Sequence, residues 1–252
     1  MSKQKEMVAV VIPARYASTR FPAKALALLC GKPLVQHVVE KAAASQADLV
    51  LVATDHEKIK SAVEAAGGRA VMTAEQHPSG TDRIAEAISK VGEDIDIIIN
   101  VQGDEPLIPT SVIDELITIM KSNPALEMAT VAVPGNPETM TENNVKVVFG
   151  ADKFALYFSR SLIPFCRTGG IPAPVYLHWG IYAYRRSALE KFVKLPPGVL
   201  ENCEKLEQLR ALENGIKIYV HVSNLESIGV DTPEDLKRAE RKLLELVKNG
   251  KY

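Results

Sequence analysis

The chain has no long apolar run, almost no net charge and little cysteine, and each shortage removes a class of function. No stretch approaches the roughly 20 apolar residues of a membrane-spanning helix, so no membrane insertion is expected. Thirty Lys and Arg stand against 31 Asp and Glu, for a formal net charge of −1. No global field therefore draws the chain to nucleic acid, and any cationic site must be local. Three cysteines, Cys30, Cys166 and Cys203, are widely spaced, with no CxxC and no zinc spacing. That pattern points to reduced thiols in a cytosolic protein. Cys166 has no evident His/Asp arrangement, which argues against a thiol nucleophile. His37, His56, His77 and His221 show no metal spacing, and no GxxxxGK followed by Ser or Thr occurs, so ordinary P-loop ATPases are disfavoured. The apolar run at 7–13, after a charged start, is too short for the core of a signal sequence. The expectation is a soluble cytoplasmic protein.

What is present is a strand–helix alternation. Residues 7–12 form a continuous apolar run, the mark of a strand buried on both faces. A long loop at 13–32 follows, and Pro33 suits the first residue of a helix through Ala44. Strands are expected at 49–53, 69–72 and 95–101, with helices at 56–66, 82–91 and 111–121; Gly67-Gly68 supplies a left-handed stop to the first of these. This pace predicts an α/β fold with a mostly parallel sheet and right-handed crossovers. After Asn123 the strands at 128–133, 145–149, 155–158 and 178–184 are separated by Pro, Asn and Gly, which suggests antiparallel hairpins. Helices from Ser187 and over 203–214, a strand at 216–222 and a helix from Pro233 to about Val247 complete the reading. We read one domain over 1–252 with an antiparallel insertion at about 124–186, of a kind that often dimerises.

The chemistry gathers at strand ends. Ile99-Asn-Val-Gln-Gly-Asp-Glu-Pro106 ends a buried strand abruptly, and the carboxyl ends of strands line the ligand crevice of an open α/β sheet. Asp104 there faces substrate rather than core. Arg15, Arg20 and Lys24 follow the first strand within ten residues, among small hydroxyl residues and backbone donors. A triphosphate needs that supply of charge-assisted donors; a solvated basic loop is the plainer alternative. With cations nearby, Asp104 more plausibly holds a divalent metal on a phosphate, and magnesium is held by one or two carboxylates plus phosphate oxygens. Asp231, before the helix start Thr232-Pro233-Glu234-Asp235, is the candidate second carboxylate, although spacing cannot join it to Asp104. Asp231 or Thr232 as a mere N-cap is the competing reading. Ser79-Gly80-Thr81-Asp82-Arg83 offers hydroxyls and amides at a helix N-terminus, for an anion, a base edge or only a cap. His178, Glu207, Gln208 and Arg210 are polar residues in apolar settings, each on its own more consistent with a structural role.

Taken together, IPARYASTRFPAK, VATDHE, EAAGG, HPSGTDR, INVQGDEP, ALYFSR, HWGIYAY, LEQLR and GVDTPEDL resemble, in order and over nearly the whole chain, the 3-deoxy-manno-octulosonate (Kdo) cytidylyltransferase family. VQGDEP and the Arg-rich loop alone would indicate only the wider group that includes CMP-sialate synthetases. The resemblance implies a nucleotide-diphospho-sugar transferase-like, Rossmann-like fold, and transfer of CMP from CTP to the 2-hydroxyl of Kdo with release of diphosphate. It implies that Arg15 and Lys24 hold CTP phosphates with Arg20 nearby, and that Ser79, Thr81 and Arg83 lie along the cytidine. Gln102 should contact the sugar acid, and Tyr157, Arg160, His178, Glu207 and Gln208 should line its pocket. Asp104 and Asp231 should bind Mg2+. A homodimer serving lipopolysaccharide assembly in the cytoplasm is implied as well. Another sugar acid, sialate-like or 8-amino-Kdo, and a catalytically idle nucleotide-binding module are the rival readings. One departure stands out: the family usually has Pro-Gly-Lys-Pro where this chain reads Pro22-Ala23-Lys24-Ala25. Alanine tolerates positive φ poorly, so a different path for this loop is expected.

Overall fold

The computed structural model describes residues 5–17, 21–168, 170, 173–225 and 227–250. The first apolar run forms strand β1 (Val8–Ala14), with no exposed surface from Val8 through Ile12. A strand covered on both faces has no polar side to alternate with, which is why it reads as unbroken apolar sequence. The loop after it carries more structure than expected: a 3-10 turn at Lys24–Leu26 and a tight hairpin of β2 (Leu28–Leu29) and β3 (Lys32–Pro33). Cys30 and Gly31 make the two-residue hairpin turn, both at positive φ. Pro33 is the N-cap of α1 (Leu34–Ala43) rather than its first helical residue.

β4 (Leu49–Thr54), α2 (Glu57–Ala65), β5 (Ala70–Met72), α3 (Gly80–Lys90), β6 (Ile97–Asn100) and α4 (Thr110–Ser122) follow. His56 caps α2, its Nδ1 accepting from the Lys58 N–H at 3.1 Å. Gly67, at φ 79°, ends that helix in the left-handed conformation its Gly-Gly pair implies. The sheet runs β6–β1–β4–β5 with every neighbour parallel, Val10 of β1 lying opposite both Val50 and Ile99. Parallel pairing sends the carboxyl ends of β1, β4 and β6 to one edge, where their loops converge.

Beyond α4 the pairing becomes antiparallel, as the Pro- and Gly-punctuated sequence predicts. β7 (Met128–Pro134), β8 (Lys146–Phe149), β9 (Ala155–Ser159) and β10 (Tyr176–Arg185) pair β7 with β10, β10 with β8, and β8 with β9. A register shift falls between Trp179 and Tyr182. The chain continues through α5 (Arg186–Phe192), α6 (Val199–Glu204), α7 (Gln208–Glu213), β11 (Ile218–Val222), which joins β7 in parallel, and α8 (Pro233–Lys248). The single helix expected over 203–214 is two helices. Lys205 takes φ 54° and ψ 47°, a left-handed residue that ends α6. Internal contacts define two compact units, Met1–Ile117 with Glu226–Tyr252, and Thr118–Leu225. The antiparallel strands belong to the second, which also takes in α5, α6, α7 and β11.

In the loop after β1, Ala23 itself takes the positive φ that alanine disfavours. Ala23 adopts φ 53° and ψ 32°, held by its N–H donating to the Tyr16 carbonyl at 3.2 Å and by its own carbonyl accepting from Leu26 at 2.8 Å. These bonds keep an L-residue where its Cβ crowds the following carbonyl, at a cost of roughly 1–2 kcal/mol. Glycine would remove the clash and lose about 0.5–1 kcal/mol in backbone entropy. Ala23→Gly should therefore stabilise the protein by about 0.5–1 kcal/mol, a rise of a few degrees in thermal midpoint. A lower midpoint for that variant would show that Ala23 carries no strain.

Candidate active site

β6 ends at Asn100, and the chain turns through Gln102, Gly103 and Asp104. A Cβ on Gly103 would come 2.9 Å from the Pro13 carbonyl oxygen, so glycine is what lets this turn lie against the end of β1. The buried Asn100 anchors Gln102, its Oδ1 accepting from Nε2 at 3.1 Å. The far end of the chain is pinned to the same turn: Val230 donates its N–H to the Asp104 carbonyl at 2.8 Å. Val230 is fully buried in an apolar cluster with Leu29, Leu34, Leu107, Ala239 and Leu243, which seats α8 on the first unit. Thr232 then caps α8 in a reciprocal box with Asp235, accepting from the Asp235 N–H at 3.2 Å while Asp235 Oδ2 accepts from the Thr232 N–H at 3.1 Å. The cap falls to Thr232, and Asp231 lines a cavity of about 340 Å³ beside Asp104.

Lys24 joins the two acids. Its ammonium donates to Asp104 Oδ2 at 2.6 Å and to Asp231 Oδ1 at 3.0 Å, across 80 and 207 positions of sequence. Burial works to lower the Lys24 pKa, but Asp104 and then Asp231 outweigh it, and the net shift is upward. Two carboxylate oxygens thus converge on one point that already holds a positive charge. No cluster of three or more His, Cys, Asp or Glu side chains able to hold a metal occurs among the described residues. A divalent cation here would take Asp104 and Asp231 and complete its shell with oxygens of a bound phosphate, the donor set that magnesium favours.

Arg15, Ser79, Arg83 and Gln102 line the same cavity. Gln102, expected at the sugar acid, therefore lies on the wall shared by Lys24 and the two acids. Arg15 is exposed at the end of β1. Ser79 caps α3, its Oγ accepting from the Asp82 N–H at 3.1 Å and donating to Asp82 Oδ2 at 2.6 Å, so the cap reading and the wall position hold together. Thr81 is buried and does not line the cavity. Arg83 is buried too, with its guanidinium on Asp55 Oδ2 at 2.9 Å, Thr73 Oγ1 at 2.6 Å and the Ala74 carbonyl at 3.1 Å. Arg20 lies outside the described residues.

The other expected substrate residues sit in the second unit. Glu204 holds the end of β9: Oε1 accepts from Ser159 Oγ at 2.6 Å and Oε2 from the Arg160 N–H at 2.9 Å. Burial raises the Glu204 pKa, but these donors bring it below the usual carboxylate range. The Arg160 guanidinium donates to the Glu204 carbonyl at 2.7 Å and the Glu142 carbonyl at 3.1 Å, so its charge serves loop carbonyls here. The buried Lys146 ammonium donates to Thr141 and Asn144 carbonyls at 3.0 and 2.6 Å, and to that of Arg160. Tyr157 is pushed up by burial and then by the nearby Glu204. His178 packs edge-on to Phe158, with its Nε2 3.1 Å from Thr130 Oγ1. Glu207 stands 3.9 Å from Arg210, which makes a paired contact with Glu201 at 2.8 and 2.6 Å. Gln208 is buried, and its Nε2 meets no acceptor among the described residues.

Residues 9–218 match the family model described as Cytidylyltransferase. The chain belongs to the cytidylyltransferase family. Curated relatives agree: an 8-amino-3,8-dideoxy-manno-octulosonate cytidylyltransferase of Shewanella sp. (strain ANA-3) is 49% identical over 241 residues, covering 94% of this chain and 98% of the relative. A 3-deoxy-manno-octulosonate cytidylyltransferase of Thermodesulfovibrio yellowstonii is 50% identical over 244 residues, covering 92% and 96%. The solved structure of a CMP:2-keto-3-deoxy-manno-octonic acid synthetase complexed with CTP superposes with a TM-score of 0.91 at 42% identity, covering 95% of this chain and 99% of that one.

Sequence reasoning missed several groups in this cytidylyltransferase. Asp55, just past the carboxyl end of β4, had the same positional signal as Asp104, an acid where a buried strand stops. His77 lines the cavity and bonds to Glu86. Burial would raise the Glu86 pKa, but Lys90, the Ala74 N–H and His77 together lower it to about 2. Glu204 and Lys146 gave no signal, because most of their partners are main-chain groups, which no residue pattern encodes. Burial also sets a pH response, holding the His178 pKa down to about 3. Unfolded histidine titrates near 6.5, so between these values the unfolded chain binds a proton that the native one refuses. The stability due to His178 is whole above about pH 6.5 and falls as pH drops toward 3. In denaturant titrations over that window, His178→Gln should flatten the decline; an unchanged slope would remove His178 as its source.

Proposed function

We propose that this cytidylyltransferase transfers CMP from CTP to Kdo, releasing diphosphate. The observation that carries the reading is the convergence of Asp104 and Asp231 on Lys24 in a cavity also lined by Arg15, Ser79 and Arg83. Small-molecule pockets run from about 300 Å³ upward, and this one pairs cations for phosphates with acids for a metal. The Kdo enzyme names of the Thermodesulfovibrio relative and of the CTP-complexed synthetase support the acceptor. In the reaction, the 2-hydroxyl oxygen bonds to the α-phosphorus and the bond from that phosphorus to the β-bridging oxygen breaks. Diphosphate leaves, and the hydroxyl proton passes to solvent.

Phosphoryl transfer asks mainly for positioning and charge stabilisation. Arg15 and Lys24 take up charge on the departing diphosphate, and Ser79 and Arg83 hold the nucleoside side of CTP. Asp104 and Asp231 would hold magnesium, which when bound supplies charge neutralisation on phosphate oxygens and acidifies the attacking hydroxyl. Tyr157, Arg160, His178, Glu207 and Gln208 are assigned to the sugar acid. The buried Gln208 amide supports that assignment, since a donor shut away from water calls for an acceptor oxygen. The exposed Leu156, Leu162 and Phe165 of the second unit support a homodimer. Cytoplasmic work on lipopolysaccharide precursors belongs to the same reading. A second acceptor, 8-amino-Kdo, is favoured by the 49%-identical Shewanella relative.

Diphosphate release from CTP, measured with Kdo, 8-amino-Kdo and sialic acid, with and without magnesium, tests the proposal. Turnover should need magnesium and be fastest with Kdo; faster turnover with the amino sugar transfers the assignment to it, and none with any acceptor rejects the reading. Asp104→Asn should lower kcat by roughly a hundredfold or more with an unchanged thermal midpoint. Near-normal turnover in that variant would reject the metal role.

A further inference from the structure

We propose that Asp55 is a positioning residue for the phosphates of the nucleotide, its carboxylate clamping the loop that delivers Arg15 and Lys24. The inference rests on the CTP reading above. Asp55 Oδ1 accepts from the Tyr16 N–H at 2.9 Å, and Oδ2 accepts from Arg83 Nη2 at 2.9 Å. The Tyr16 N–H belongs to the peptide that joins it to Arg15, so the first bond orients that peptide. The Tyr16 carbonyl in turn accepts from the Ala23 N–H at 3.2 Å, and Ala23 opens the turn from which Lys24 reaches Asp104 and Asp231. One carboxylate at the end of β4 thus governs both arms of the basic loop, and it does so through main-chain groups.

Two further contacts make the clamp stiff. The Tyr16 ring stacks on His56 with centroids 3.8 Å apart and planes 13° from parallel, and His56 is itself fixed by its bond to the Lys58 N–H. The Asp55 and Arg83 side chains are only 8% and 4% exposed. A charged pair withdrawn from water holds its geometry tightly, and removing one partner leaves the other uncompensated. Arg83 sits on α3 and lines the cavity, so the same carboxylate ties the nucleoside wall to the phosphate loop.

Asp55→Ala removes both bonds, whereas Asp55→Asn keeps an acceptor for Tyr16 and removes the charge. Each is made in the parent and in a Lys24→Met background, with kcat and KM from diphosphate release, CTP affinity from calorimetry and thermal midpoints as readouts. Asp55→Ala should lower kcat/KM for CTP by roughly a hundredfold, the cost of about 1 Å of misplacement, with KM for the sugar acid within about twofold; Asp55→Asn should lose less. In the Lys24→Met background the same change should cost roughly tenfold or less, the part that runs through Arg15, because groups acting as one unit are non-additive. CTP affinities of the four proteins close the cycle if turnover is too slow, and the Asn variant closes it if the Ala variant does not fold. Fully additive losses, or an Asp55 variant within about threefold of its parent, overturn the proposal while leaving the CTP reading intact. A parent protein that neither binds nor turns over CTP overturns both.

Discussion

The candidate site of the first unit depends on one arrangement: two carboxylates, carried by segments far apart in sequence, share a single ammonium. Like charges brought that close repel unless a cation lies between them. Lys24 supplies it, and the acids in turn hold its proton more firmly than in water. The arrangement stands because it is built on backbone. The Val230 N–H to the Asp104 carbonyl fixes the acid-bearing segments to each other, and burial of Val230 beside Leu29, Leu34 and Leu107 holds that bond away from water. Apolar packing thus places the charges, and the charges leave a cavity edge suited to phosphate oxygens and a hard cation.

Much of this was legible from residues alone. β1 announced itself as an unbroken apolar run and β6 as one interrupted only by Asp96 and Asn100, and the acid after β6 followed from where strands stop. The neighbourhood of Asp104 and Asp231 was not legible, since only the packing of α8 establishes it and no spacing rule encodes packing. Arg83 lines the cavity, but its buried ion pair with Asp55 depends on a partner 28 positions away. Two local expectations gave way to tertiary forces. The helix over 203–214 is interrupted because Lys205 adopts a left-handed turn, and Ala23 accepts an unfavourable φ because bonds to Tyr16 and Leu26 impose it.

The second unit shows a different economy. Its charged residues are used largely to tie loops together: Lys146 gathers carbonyls from two loops, Glu204 grips Ser159 and the Arg160 amide, and Arg160 returns to the Glu204 carbonyl. Such nets are invisible to motif reading, because most of their bonds have one end on the main chain. They explain why polar residues that look out of place among apolar neighbours need not be exposed.

The 207-residue span between Lys24 and Asp231 carries a consequence for how the molecule is made. A ribosome that has finished β1 through β6 and Asp104 has still to synthesise more than a hundred residues before the second acid exists. Until then the emerging polypeptide has its basic loop but only half of the anionic partner, and contacts of such separation close late in folding. The charge arrangement at the cavity edge is therefore completed only near the end of synthesis, when Asp231 joins Asp104 on the Lys24 ammonium.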